Sequence, residues 1–144
     1  DMQYGPDNPF LRADRILREQ EGRYDVAVCE IHASATSEKL AMGFYLDGRV
    51  SAVYGTHTHV PTADARVNPE GTGYITDLGM TGPKWSVLGV RKEQSIAMFR
   101  GDLTSRFEPA EGVCVLQGAV FDIDESTGKC RSVQRIEEEY VPGK

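Results

Sequence analysis

The chain has 144 residues, 40% of them hydrophobic and 26% charged, enough for one domain that buries roughly two thirds of the surface its unfolded form exposes. A net charge of -6 argues against a long nucleic-acid backbone as partner, because that needs clustered Lys and Arg to displace condensed counterions. No apolar run approaches the roughly 20 residues a membrane helix needs; Cys29, Cys114 and Cys130 lack CxxC spacing and suit free thiols in a reducing cytoplasm.

The opening "DMQYGPDNPF" starts at Asp1 and has neither the basic start nor the apolar core of a signal peptide, so the chain is expected to be a piece of something longer. In "DNPFLRADRILREQEG" a helix is expected. Asn8 is its cap, Pro9 stands in its first turn, Phe10, Leu11, Ile16 and Leu17 form its apolar face, and Gly22 is its stop. "RYDVAVCEIH" follows as a run rich in Val, Cys and Ile, read as a buried strand ending at His32.

"SATSEKLAMGFYLDG" predicts a second helix, with Ser34, Thr36 or Ser37 as cap, Glu38 near the positive end of the dipole, and Gly48 as stop. "RVSAVYG" predicts a second strand, parallel to the first through the helical crossover. "ARVNPEGTGYIT" predicts two short strands around a turn at Pro69 and Gly71. The Gly-rich "DLGMTGPKWSVLG" predicts no regular structure. A short helix near "RKEQSIAMFRG" then precedes a long hairpin, "GVCVLQGAVFDID" and "KCRSVQRIEEEY", around "ESTG". The tail "VPGK" is expected to be disordered. The fold class is mixed α/β with an antiparallel C-terminal hairpin.

Two of the three histidines sit in "GTHTHV", after the second strand. If the strand conformation continues through them, His57 and His59 face the same side, and His32 ends the neighbouring parallel strand at the same sheet edge, where ligand sites in such folds gather. Convergence of the three would make a metal site, and imidazoles suit zinc, iron, manganese and copper alike. Each histidine taken singly is more readily a hydrogen-bonded surface or core residue, and only the convergence of all three weighs against that reading. Asp64 and Asp77 are the acidic candidates for orienting the rings, turn chemistry being the other reading of both. Thr81 is either a ligand-facing hydroxyl or a loop residue.

The combination of "HASATSEK", "DGRVSAV", "GTHTHV" and "TDLGMTGP" resembles the YmdB family of bacterial metallophosphoesterases, within the calcineurin-like superfamily. The resemblance runs from near "DNPF" through "SVLG" and weakens over the hairpin. It implies a β-sandwich flanked by helices and two metal ions, iron or manganese with zinc as another option. It further implies hydrolysis of phosphodiesters, cyclic nucleotides included, by a metal-bridging hydroxide. By motif, His32 and His57 would be ligands of one ion and His59 of the other. No catalytic side chain is assigned to this chain.

The family pattern also carries a "GD" Asp, a Glu-Asn pair and an Asn-His pair, which supply the bridging carboxylate, further ligands and a proton donor; these are absent here. Ser34 stands where Glu is expected. The whole chain, residues 1–144, is therefore expected to be the C-terminal portion of one metallophosphoesterase domain, weak or inactive alone, with the N-terminal half as its partner. A degenerate half-domain serving as an interaction or regulatory module, binding a nucleotide or pairing with a partner through the exposed apolar sheet face, is the alternative, and a homo-oligomer is a further option. A structural zinc site built on the three histidines is a third reading, disfavoured because such sites usually use cysteine.

Overall fold

Helix α1, Pro9–Glu19, begins where the Asn8 side chain accepts the backbone N–H groups of Phe10 and Leu11, at 3.0 and 3.3 Å, two of the donors that a helix start leaves without an internal partner. The computed structural model describes residues 7–102 and 106–143; "DMQYGP", with the expectation placed on Asp1, and Lys144 of the closing "VPGK" lie outside it. Only part of the expected apolar face of α1 is used. Phe10, Ala13 and Leu17 pack on the core, while Leu11 and Ile16 are exposed.

Strand β1 (Val28–His32), helix α2 (Thr36–Tyr45) and strand β2 (Ala52–Thr56) form the expected parallel crossover unit, His32 lying opposite Thr56. β3 (Arg66–Val67) and β4 (Gly73–Ile75) flank the turn at Pro69, with Gly71 at φ 100°. The sheet order is β1-β2-β4-β3, with β4 parallel to β2 and antiparallel to β3.

β1 is therefore an edge strand, and the expectation of a buried one is corrected: Val28, Glu30 and His32 are exposed, with Cys29 and Ile31 half-buried. Its apolar residues reflect packing on one face, Cys29 and Ile31 lying against the core, and its outer edge pairs with no strand among the described residues. α2 differs in its cap as well. Ala35 occupies that position without a side-chain bond, so none of Ser34, Thr36 and Ser37 caps the helix, although Glu38 does lie in the first turn.

The core is Met42, Leu46, Val50, Val53 and Tyr74. Tyr74 is fully buried, and burying a side chain of that size contributes about 1.5–3 kcal/mol. It needs Gly43 on α2, because a Cβ there would stand 2.4 Å from the ring.

The Gly-rich segment carries a strand that its composition hides: β5 (Thr81–Pro83) pairs with β6 (Cys114–Ile123), which forms the long hairpin with β7 (Cys130–Tyr140). Helix α3, Lys92–Phe99, lies between them in sequence. This three-stranded antiparallel sheet meets the first sheet through β3, β4 and β7. Gly73 sets the close approach, since a Cβ on it would meet Cys130 Sγ and the Phe121 ring at 2.7 Å. The architecture is α/β, a mixed four-stranded sheet beside an antiparallel three-stranded one. Among the described residues no helix is long and apolar enough to cross a membrane, and all three cysteines are unpaired thiols.

Candidate functional site

Three parallel strands, β1, β2 and β4, end at one sheet edge, in His32, Thr56 and Ile75. Glu30 and His32 are two residues apart on β1 and share a face; Thr56 lies beside His32.

The extended conformation stops at Thr56. His57 has φ 111° and His59 has φ 62°, a left-handed region that non-glycine residues rarely enter without outside constraint. The constraint is Asp77, just beyond β4. Its Oδ2 accepts the Thr58 backbone N–H at 2.9 Å and the Lys39 ammonium at 2.9 Å, and its Oδ1 accepts the Gly79 N–H at 3.0 Å. Thr62 adds a second clamp, its hydroxyl accepting the Asp77 N–H and its own N–H donating to the Asp77 carbonyl. Burial pushes the Asp77 carboxyl up, but Lys39 and the backbone donors outweigh it and hold the group below its ordinary value.

The expectation that alternation would set His57 and His59 side by side is thus overturned by the backbone reversal. His57 Nδ1 stands 3.2 Å from His32 Nε2, with the rings edge to face at 5.0 Å between centroids. His59 turns away, and its Nδ1 reaches the Leu88 carbonyl at 3.3 Å. Among the described residues no group of three His, Cys, Asp or Glu side chains could hold a metal ion together.

What does converge is a pair with the right spacing. Two nitrogens bound to one ion at about 2.1 Å each, at tetrahedral or octahedral angles, stand roughly 3.0–3.4 Å apart. The 3.2 Å between His32 and His57 falls within that range. His59 is prepared separately: a carbonyl oxygen only accepts, so His59 Nδ1 carries a proton, and in the neutral ring the lone pair is on Nε2. The residues present therefore fit part of a ligand set, two imidazoles together and one apart.

Neither aspartate named from the sequence bonds to a histidine ring among the described residues. Asp64 accepts the Thr76 hydroxyl at 2.6 Å and the Thr76 N–H at 3.2 Å, and pairs with Arg66. Asp77 orients the loop backbone instead. Thr81, exposed at the start of β5 and opposite Leu116, is placed on the second sheet. Sequence reasoning missed Thr56 and Glu30. The Thr56 hydroxyl lies 2.9 Å from His32 Nδ1 and donates to Glu30 Oε1 at 2.8 Å. The signal available was the alternation that puts Glu30 and His32 on one face of their strand.

A family profile described as YmdB-like protein matches residues 1–136. A 2',3'-cyclic-nucleotide 2'-phosphodiesterase of Bacillus subtilis is 52% identical over 130 residues, 90% of this chain and 49% of that protein. A putative phosphatase/phosphodiesterase of Mycoplasma pneumoniae is 39% identical over 90% of this chain and 46% of its own length. Among solved structures, a novel phosphatase from Mycoplasma pneumoniae superposes with a TM-score of 0.86 at 37% identity, covering 99% of this chain and 50% of the other. A hypothetical protein from Thermus thermophilus superposes at 0.83 with 41% identity, covering 92% and 51%. The chain spans about half the length of the curated relatives it matches.

Proposed function

Because the chain belongs to the YmdB-like protein family, we propose that it supplies the three-histidine part of a two-metal phosphodiesterase site acting on cyclic nucleotides or related phosphodiesters. The observation that carries this reading is the His32–His57 pair, set 3.2 Å apart at a sheet edge, the spacing of two ligands on one ion. His32 and His57 would hold one ion and His59 the other. Iron or manganese would suit the site, and zinc would be tolerated by the same imidazoles. The chemistry such ions supply is activation of water and neutralisation of the charge that grows on a displaced phosphate.

The chain's own contributions are positional. The Leu88 carbonyl accepts from His59 Nδ1 on the side away from Nε2. Asp77 and Lys39 keep the loop between His57 and His59 reversed, so that the two rings diverge and serve two positions. For His57 to present Nδ1 to an ion, its proton must sit on Nε2.

We further propose that residues 1–144 act as the C-terminal portion of a calcineurin-like metallophosphoesterase sandwich. The other half would bring the bridging carboxylate. Support comes from the half-length coverage of the relatives and from the outer edge of β1, which pairs with no strand among the described residues. Beside that edge lies an apolar groove of about 730 Å³, lined by Phe10, Ile16, Val28, Ile31 and Met42 and reaching His32. An edge strand with one free side beside an apolar groove is a docking surface. The same surface favours the second reading, a binding or regulatory module that recruits a partner or a second copy there. The unpaired thiols suit a cytoplasmic setting.

Elemental analysis of metal content, with turnover of a 2',3'-cyclic nucleotide in added manganese, tests the proposal. The chain alone is expected to hold one weakly bound ion and to turn over poorly. Combined with the other half of the domain it is expected to turn over, and to lose turnover in His57→Ala with His59→Ala. A combined protein that binds no metal and hydrolyses no phosphodiester leaves the module reading.

A further inference from the structure

We propose that Thr56, oriented by Glu30, is the positioning residue that fixes the proton of neutral His32 on Nδ1 and so presents Nε2 as the ligand atom. The metal role of His32 is the reading stated above, and this proposal specifies how the ring is prepared for it.

The argument is one of donors and acceptors. The Thr56 hydroxyl has a single proton, and it is committed: Oγ1 donates to Glu30 Oε1 at 2.8 Å, and an ionised carboxylate only accepts. The same oxygen lies 2.9 Å from His32 Nδ1. With its proton spent on Glu30, Oγ1 meets His32 only as an acceptor, so Nδ1 carries the hydrogen. The lone pair of the neutral ring is then on Nε2, the atom that faces His57 Nδ1 at 3.2 Å. If Glu30 were absent, the hydroxyl would be free to turn and donate to Nδ1, which selects the opposite tautomer.

Backbone geometry holds the three groups in place. Glu30 and His32 lie two residues apart on β1, hence on one face of the strand. Thr56 is paired with His32 in the parallel register, as the last residue of β2. β-Branching restricts its χ1, so the hydroxyl keeps its bearing between the two partners. The acid and the imidazole share a strand while the hydroxyl between them comes from the next one, so the chain of hydrogen bonds forms only when β1 and β2 are in register. Partners of this kind orient a ligating ring and raise its basicity, and removing one typically weakens metal affinity about 10–100-fold.

The test has two independent readouts on the 144-residue chain. Long-range ¹H–¹⁵N correlation spectra without metal report which ring nitrogen of His32 is protonated. Calorimetric titration with zinc reports the affinity of the pair. Wild type is expected to show the Nδ1–H form, and His57→Ala is expected to keep it, because Thr56 and not His57 sets it. Thr56→Val, which keeps the shape and loses the acceptor, is expected to move His32 toward Nε2–H and weaken zinc binding about tenfold. Thr56→Ser is expected to restore both, which separates the hydroxyl from any packing effect, and Glu30→Ala to move the tautomer in the same direction as Thr56→Val.

A wild-type His32 protonated on Nε2, or a Thr56→Val variant with tautomer and zinc affinity unaltered, overturns the proposal. The Nδ1–H form in a chain that takes up no zinc upholds the positioning of His32 and overturns its metal role. Zinc uptake with the Nε2–H form does the reverse.

Discussion

The Lys39 ammonium and the Asp77 carboxylate form a buried ion pair at 2.9 Å, with both side chains almost wholly removed from solvent. Lys39 belongs to the first turn of α2 and Asp77 follows β4, so the pair ties the crossover helix to the loop carrying His57 and His59. Burying two charges is costly, and the cost is offset only where the remaining hydrogen-bond capacity is filled. Here it is filled on the acid by the N–H groups of Thr58 and Gly79.

Asp77→Asn or Lys39→Met alone strands one buried charge, and each is expected to destabilise the fold by about 3–5 kcal/mol. Chemical denaturation of the singles and the double gives the coupling. The double variant should be less destabilised than the sum of the two, since neither charge is then left unpaired. Strictly additive losses would mean that the pair contributes nothing as a pair.

The same carboxyl sets a direction for acid sensitivity. Its folded value lies below the ordinary 3.8, so its contribution is fully present above the unfolded value and is lost as pH falls through the lower, folded one. Stability measured from pH 6 to about pH 2 should fall more steeply in the wild type than in Asp77→Asn, whose amide does not titrate. Parallel curves would show that other carboxylates carry the acid response.

Local signals made much of the fold readable. Asn8 before Pro9 marks a helix start through groups within three residues of one another, and the Pro69–Gly71 turn is equally local. β1 was misread because the same run of Val, Cys and Ile serves a central strand or an edge strand. The difference lies in what stands on its free side. β5 was hidden because Thr81–Pro83 is a strand only through its long-range pairing with β6. Within the site, the positions of His32 and His57 at strand ends followed from pattern. The divergence of His59 did not, because it depends on left-handed φ angles imposed from Asp77, eighteen residues farther on.

Gly55 is predicted to be intolerant of any side chain. A Cβ there would stand 1.8 Å from the Thr76 carbonyl oxygen and 2.8 Å from Lys39 Cδ, and the carbonyl is backbone that cannot turn aside. Gly55→Ala should lower the melting temperature by more than Gly22→Ala. At Gly22, with φ +72° and open space around it, the cost is only conformational, about 1 kcal/mol. Equal losses would place β2 and β4 farther apart than the parallel register requires.

The separation of the histidines predicts an asymmetry in metal binding. His32 and His57 face each other while His59 is turned to Leu88, so the first ion taken up by this chain should depend on the pair and ignore the third ring. In zinc titrations, His32→Ala and His57→Ala should each remove one of two ligands and abolish measurable uptake. His59→Ala should leave the first binding event within about a factor of five, an energy change of roughly 1 kcal/mol. Loss of the first ion in His59→Ala would mean that metal draws His59 across from Leu88 to join the pair. The reversed backbone at His57 and His59 would then have to relax on binding, and the clamp from Asp77 to the Thr58 N–H would open with it.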